Sequence, residues 1–532
     1  MTTRQLHKLL FYCLLTIASL FTARGQDNST EQSELSEITC TGISYRKHFN
    51  SWESSLNPAG IQYTPIDSLL ETRIIYSNRH HVLAAVDQPD KTMQYGGTAE
   101  GYKRLGKLQL CGGMGWQQDR LKGQSWNYLV YPGSLVTAGD SLSVPHHFEQ
   151  YSIYGKAAYA FSSRLLAGLS GAYTATKNKD ASPEGRYSGN AYITTFSIGL
   201  IYTVQSVRTG LSASFEHRTE SFSSGSDNNK RLYTFPSGYF IPMTEFSFGT
   251  KGTSGSSTKS TGQYRSITNG GQAALQAEWI QANRKWFNEL NAGYECRSIS
   301  PDYTSFLYGW KEQAITFGYH SRLAIPHGRW IHLLTPALSL QRTRSDRILQ
   351  SSTLLRFAAR HTAKVSVGYE LAHDYTPDGP SRAWQLTASL MDLRDKYYSY
   401  PYTIAQLTGT IRIETAFLRH LDLPHARHLM VRPSVSLQTG YGTEEHITRE
   451  ENKAEVEMGT LRNYERVSSR FAALTATRLQ LGMLMEYRRP LIDKTDGGLR
   501  IQAEIEQIIR NKTNYRTDKT GGGITFSLIV WI

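Results

Sequence analysis

The chain has 532 residues, with 58 Lys+Arg against 45 Asp+Glu, 44 Gly, 32 Tyr, 4 Cys and a mean hydropathy of -0.43. Negative hydropathy with scattered charge excludes a polytopic helical membrane protein, which needs repeated apolar runs of roughly 20 residues. The aromatic and β-branched content excludes a disordered chain, and the length admits either several globular domains or one large closed architecture.

Residues 1–25 read as a secretory signal. Arg4 and Lys8 supply a positive start, residues 9–21 form a short apolar core, and Ala23-Arg24-Gly25 puts small residues where a signal peptidase cuts, with Gln26 as the mature start. The core is too short to span a bilayer. Cys13 lies inside it without the small residue that a lipoprotein signal needs, so no lipid anchor is expected. Residues 26–66 form a polar periplasmic segment, and residues 67–532 carry the pattern of one domain. Cys40, Cys111 and Cys296 are widely separated, with no C-x-x-C and no Cys/His ligand spacing. Three isolated packed thiols are expected rather than a zinc site or a disulfide framework.

From residue 67 onward, stretches of about ten residues alternate apolar and polar, then break. Leu275, Ala277 and Trp279 alternate with Gln276 and Glu278; Leu290, Ala292, Tyr294 and Cys296 with Glu289, Asn291, Gly293, Glu295 and Arg297. The same pattern recurs at Val365, Val367, Tyr369 and Leu371, at Leu481, Met483, Met485 and Tyr487, and at Leu499, Ile501, Ala503 and Ile505. Successive strand side chains face opposite ways, so each stretch makes one apolar and one polar face. Stretches this long match tilted transmembrane strands, whereas ordinary strands average about five or six residues.

The breaks alternate in length. Short ones are expected at Arg104-Leu105-Gly106, Ser162-Ser163-Arg164, Thr203-Val204, residues 282–285, Pro326-His327-Gly328 and Arg360-His361-Thr362. Long ones are expected at 120–147, 177–186, 220–267, 299–311 and 441–470. Short turns at one rim and long loops at the other predict an all-β fold: a single transmembrane antiparallel β-barrel in a bacterial outer membrane, of about 18 strands (14–20, even). The parity breaks near 391–401, where the stretch from Asp392 to Tyr398 is expected to hide a short strand or a bulge.

Leu334-Thr335-Pro336-Ala337-Leu338-Ser339-Leu340-Gln341 echoes Val431-Arg432-Pro433-Ser434-Val435-Ser436-Leu437-Gln438, each after a Pro-His turn. Two equivalent strands rising from the periplasmic rim are expected, with proline tolerated near a strand start. The terminal stretch from Ile524 to Ile532 is expected to pair with the first strand, because an open edge in lipid leaves bare N–H and C=O groups. The barrel-assembly machinery is the expected partner of that end.

By alternation the lumen side carries Glu71, Arg73, Glu100, Glu278, Glu289, Glu295, Arg297, Glu370, Arg412, Glu414, Glu486, Glu504 and Glu506. Such charges either line an aqueous path, with a mild preference for cations, or cross-link opposite walls and fill the interior. His80-His81 and His146-His147 read as rim histidines, since no carboxylate or Cys at ligand spacing joins them, and no cofactor is expected. No G-x-S-x-G, P-loop or H-E-x-x-H occurs, and no enzyme is expected. Lys and Arg are interspersed with aromatics instead of forming one patch, which points to outer-membrane lipid and lipopolysaccharide phosphates and away from nucleic acid. In loop 220–267, Leu232-Tyr233-Thr234-Phe235 and Tyr239-Phe240-Ile241 lie either at an exposed surface or folded inward as a constriction.

Two stretches carry a family resemblance. Ser51-Trp52-Glu53-Ser54-Ser55-Leu56-Asn57-Pro58-Ala59-Gly60-Ile61 and Glu100-Gly101-Tyr102-Lys103-Arg104-Leu105-Gly106-Lys107 resemble the N-terminal motif and first hairpin of an uncharacterised outer-membrane barrel family of Bacteroidota. Asn57-Pro58-Ala59 also resembles the hatch motif of the long-chain fatty-acid transporter family. Read on its own, the segment Asn57, Pro58, Ala59 and Gly60 is a turn leading into the first strand; the hatch reading implies that residues 40–62 fold into the barrel mouth and gate a hydrophobic ligand. The polar N-terminal segment is smaller than the plug domain of TonB-dependent receptors. The expected function is a channel or transporter for a small solute or hydrophobic ligand. The alternative is a surface scaffold whose long loops hold a surface lipoprotein or another extracellular partner.

Overall fold

Period-two alternation becomes strands whose two faces meet different solvents. In the computed structural model, Leu275 is 60% exposed on the outer wall while its neighbours Gln276 and Glu278, facing in, are 3% and 4% exposed. The structure describes residues 50–532 except 83–84, 86–87, 125–134, 140–144, 181–186, 225–232, 237–261, 282–283, 302–308, 349–353, 377–378, 400–401, 449–468, 493–494 and 511–519. The expected signal, Cys40, Leu232 and the stretch from Tyr239 to Ile241 lie outside the described residues.

The first half of the barrel comprises β1 (Ser68–His80), β2 (Lys91–Leu105), β3 (Leu108–Lys122), β5 (His146–Ala160), β6 (Leu165–Asp180), β7 (Tyr187–Val204), β8 (Val207–Ser224), β10 (Gly262–Gln281) and β11 (Arg284–Pro301). The second half comprises β12 (Gly309–His327), β13 (Trp330–Ile348), β14 (Leu354–Thr376), β15 (Gly379–Ser399), β16 (Tyr402–Leu423), β17 (Arg427–Thr448), β18 (Thr477–Ile492), β19 (Thr495–Arg510) and β20 (Thr520–Trp531). Together they form one 18-stranded antiparallel sheet, closed by pairing of β1 with β20. Two further short strands, β4 (Val136–Gly139) and β9 (Tyr233–Pro236), pair with each other and join two of the long loops.

Both ends of the chain's barrel portion, β1 Ser68 and β20 Trp531, lie at the rim of the short turns. That rim is periplasmic by the rule of barrel construction, and the long loops are extracellular. Tight turns there require left-handed backbone: Gly106 and Gly328 adopt φ +60°, and Gln205 takes φ 50°. An outward belt of Leu, Ile, Phe and Tyr, including Ile74 at 65% and Leu528 at 55% exposure, faces lipid. The molecule is an outer-membrane β-barrel.

One expected turn is overturned. Arg360-His361-Thr362 lies inside β14, and the turn falls after Thr376, outside the described residues. Arg360 points inward and pairs with Asp395 at 2.7 Å, so a polar triplet that reads as a turn is an inner wall. The same correction removes the parity break: β15 runs unbroken through Asp392 and Tyr398, and only two residues link it to β16 at the extracellular rim. The echoed segments occupy equivalent places in β13 and β17. In each, the ladder to the preceding strand skips the proline, between the His320/Ala337 and Leu323/Leu334 pairs and between Ala416/Ser434 and Arg419/Val431. A missing N–H explains the skip.

Candidate functional site in the barrel lumen

The lumen is occupied from the periplasmic end by residues 50–66. Pro58–Tyr63 form a short 3₁₀ helix, started by Asn57, whose side-chain Oδ1 accepts the Ala59 N–H at 3.0 Å. Proline at the first position suits a start where no donor is needed. Trp52 is 1% exposed, packed edge-on against Phe287 of β11 with ring centroids 5.2 Å apart. Its indole N–H donates to Glu278 Oε2 at 2.7 Å, and Arg208 of β8 closes on the same oxygen at 2.8 Å. The Leu56 N–H donates to Glu289 at 3.0 Å, and the Tyr102 hydroxyl donates to Glu53 at 2.7 Å. Asn57 Nδ2 reaches the carbonyls of Leu200 (2.9 Å) and Leu211 (3.3 Å) and Gln276 Oε1 (3.2 Å).

Three glycines make the seat. Gly168, Gly199 and Gly210 occupy inward positions on β6, β7 and β8. A Cβ on Gly168 would overlap the Ala59 backbone, one on Gly199 the Asn57 carboxamide, and one on Gly210 would sit 2.8 Å from Trp52 Cζ3. Below this seat, Ile61 and Ile66 pack on Tyr102, Cys111 and Ala158. Gln109 donates to the Ile66 carbonyl at 3.1 Å, and Arg104 to Thr64 O at 2.9 Å. The plug therefore rests on one arc of wall, from β2 to β11.

The remaining arc is lined by connected polar side chains. Glu370 accepts from Gln385 at 3.1 Å, and Gln385 accepts from Arg432 at 3.0 Å. Arg432 lies 3.9 Å from Glu414, which pairs with Arg412 at 3.0 Å. Arg412 reaches Gln480 at 3.4 Å; Gln480 donates to Glu504 at 3.1 Å, and Glu504 pairs with Arg79. Arg500–Glu486 and Arg478–Glu506 bridge β18 and β19 beside it. Within the plug's own arc, Arg297 of β11 bonds Ser266 of β10 and Glu220 of β8 at 2.9 Å, with both ion partners 4% exposed or less. Arg73 pairs with Glu71 at 2.7 Å, and Glu71 also accepts the Trp531 indole at 2.9 Å. Thus Trp531 faces inward, and Ile532, 58% exposed, takes the outward terminal place.

The sequence-predicted lumen residues divide accordingly. Glu278 and Glu289 hold the plug; Glu100 holds the Tyr102 hydroxyl at 2.8 Å beside it. Glu71, Arg73, Arg297, Glu370, Arg412, Glu414, Glu486, Glu504 and Glu506 belong to the wall pairs just given. Glu295 shares the inner face of Glu289 and Arg297 and is half-buried. The pairs join positions on one strand or on strands one or two apart, not opposite walls. Residues that sequence reasoning missed are Trp52, Glu53, Gln276 and Arg208 and the three seat glycines. Glycine on inward positions of three consecutive strands was the available signal.

At the extracellular end, residues 469–475 form a short helix turned into the lumen. Inward Gly442 of β17 leaves 2.9 Å between a would-be Cβ and the Phe471 ring, and Arg478 holds the Ala473 carbonyl at 2.6 Å. Val82, Ala476 and Ile508 pack together beside this helix. Among the described residues no group of three His, Cys, Asp or Glu has metal-binding geometry. Cys111 and Cys296 are free thiols.

A family model described as "Family of unknown function (DUF6850)" matches residues 58–530, from the plug turn to the last strand. The chain belongs to that family. No curated protein matches the sequence. Among solved structures, this DUF6850 member is similar to the ferric preacinetobactin receptor BauA of Acinetobacter baumannii, at 9% identity and TM-score 0.39, covering 87% of this chain and 80% of that one. It is also similar to the ferric yersiniabactin uptake receptor FyuA of Yersinia pestis (10%, TM-score 0.37, 87% and 80%). A third likeness is the outer membrane transporter YddB of Escherichia coli (8%, TM-score 0.33, 88% and 80%).

Proposed function

We propose that this barrel is an outer-membrane channel or transporter for a small polar solute, gated at its periplasmic end by residues 50–66. The observation that carries the reading is how the plug is held. It sits on the wall through side-chain hydrogen bonds and apolar contacts on a glycine seat, and it adds no strand to the sheet. A segment held this way leaves without unpairing any wall strand. An 18-stranded barrel is wide enough for an aqueous path once its interior is cleared, and the Glu, Gln and Arg wall suits a polar solute better than a fatty acid. The glycines, by removing side-chain bulk, let the plug lie flat on the wall.

The test is single-channel recording in planar bilayers, together with swelling of proteoliposomes in sugars and amino acids. Wild-type protein is expected to give rare steps, and plug-weakened variants frequent steps and faster swelling. A folded, plug-weakened barrel that neither conducts nor swells would remove the channel reading. It would leave the scaffold, which one observation favours: β4 and β9 pair two of the long loops with each other. We further propose that β20, ending on outward Ile524, Phe526, Leu528 and Ile532, is what the assembly machinery reads.

A further inference from the structure

The outer wall carries a feature that the lumen does not explain. At the extracellular ends of β20, β1, β2 and β3 there is an open concavity of about 720 Å³, lined by Asn78, His80, Lys91, Met93, Arg120 and Lys122, with Gly522 and Gly523 in its floor. The register sets His80 beside Lys91 and Lys91 beside Lys122, with Asn78, Met93 and Arg120 in the next row toward the membrane. Lys91, Arg120 and Lys122 are exposed, and no ion pair joins them among the described residues. His80 Nδ1 is buried and has no hydrogen-bond partner among the described residues.

The row continues outward along β5 and β6: Arg120 faces His147, His147 faces Lys179, and Glu149 faces Lys177. Glu149, one row nearer the membrane beside Gln118, accepts a hydrogen bond from Tyr151. Elsewhere on the outer wall, Arg344 pairs with Asp346 and Arg394 with Asp392. Immediately below the cationic rows lies an aromatic belt, with Tyr76 and Tyr95 rings 5.3 Å apart and exposed Trp116 and Tyr151 beside them. Tyr and Trp mark the membrane–water interface. These exposed cations therefore stand at the height of outer-leaflet head groups, above lipid tails.

We propose that this face binds the phosphorylated head group of an outer-leaflet glycolipid, the lipid A part of lipopolysaccharide. Neighbouring strands lie about 4.8 Å apart, so several ammonium and guanidinium groups reach one phosphate from two sides. The glycine floor leaves room for a sugar ring, and the acyl chains would lie along the outward Ile74 and Ile524.

The test is native mass spectrometry of the whole purified barrel in detergent, titrated separately with lipid A, dephosphorylated lipid A, phosphatidylglycerol and inorganic phosphate. Wild-type protein is expected to bind lipid A at least about tenfold more tightly than the other three. The triple reversal Lys91→Glu, Arg120→Glu, Lys122→Glu is expected to abolish that preference, and Arg427→Glu, at the opposite rim, to leave it intact. Folding is read from heat-modifiable migration; if the triple variant does not fold, each single reversal is expected to weaken lipid A binding. Unchanged lipid A binding in the folded variants would overturn the proposal. So would equal binding of dephosphorylated lipid A or of phosphatidylglycerol.

Discussion

Replacing Trp52 with alanine tests the gate at its main anchor. The side chain is 1% exposed, contacts Phe287 and Tyr63 at centroid distances of 5.2 and 5.8 Å, and donates to Glu278 at 2.7 Å. Deleting a buried Trp costs about 3–5 kcal/mol, and Glu278 keeps Arg208 at 2.8 Å, so no bare buried charge adds to that. At about 1.4 kcal/mol per factor of ten, the seated-to-unseated ratio falls by about two to four orders of magnitude. The protein carries its own reporter. Cys111 is 7% exposed and lies under Ile61 and Ile66, whereas Cys296 is on the outward face of β11 and does not touch the plug. With Cys40 replaced by serine, maleimide labelling of Cys111 from the periplasmic side is expected to accelerate by at least a hundredfold in Trp52→Ala, with Cys296 unchanged. Conductance steps are expected to become frequent in parallel. Equal Cys111 labelling in the two folded proteins would refute the idea that residues 50–66 seal this arc.

Three other perturbations address separate parts of the structure. Gly199→Val leaves every plug residue in place but puts a Cβ into the Asn57 carboxamide; the same rise in Cys111 labelling is expected, and its absence would mean the seat is not restrictive. Glu220→Ala strands Arg297, whose partners are that carboxylate and Ser266. Breaking a buried pair costs about 3–5 kcal/mol, so the urea midpoint of barrels in vesicles is expected to drop well below that of an Arg427→Glu control. His81, just beyond β1, is pushed down to about 4 by burial, then by Arg79, His80 and Arg478. It is neutral when folded, so below pH 6.5 the opened form gains the proton first, and local stability falls between pH 6.5 and 4. The hydrogen-exchange protection factor at His81, whose backbone N–H donates to the Asp90 carbonyl at 2.8 Å, is expected to fall as the pH drops over that range and to stay constant in His81→Phe.

The barrel was legible in the sequence because alternation is a local property. Leu275, Gln276, Ala277 and Glu278 declare their faces without reference to any partner, and turn parity converts that into a strand number. Arg360-His361-Thr362 misled because a polar triplet has the same composition as a turn; only Asp395, 35 positions away, shows that Arg360 is an inward side chain. The plug was legible only as a turn and a resemblance. Its anchors lie far along the chain, 143 positions from Asn57 to Leu200 and 226 from Trp52 to Glu278, and no local period records such pairings. The partners of the lumen carboxylates depend on strand stagger, which a single sequence does not display.

That stagger also separates the plug's contacts from the pairs that tie the wall together. The polar chain from Glu370 through Arg432, Glu414 and Gln480 to Glu504 and Arg79 ties β14 to β1 without involving any plug residue. The plug's own bonds go to β2, β3, β5, β7, β8, β10 and β11. Releasing residues 50–66 would free Glu278 and Glu289 to an aqueous lumen, where Arg208 and Gln276 still partner them, and would leave the opposite arc's pairs intact. A gate that shared its bonds with the wall would loosen the barrel each time it opened. Here the wall keeps its shape from its own cross-strand pairs, and the carboxylates that hold the plug keep wall partners of their own. The helix over 469–475 lies on the other arc at the other end. A solute would therefore cross two staggered constrictions, and weakening either one alone is expected to raise conductance only partway.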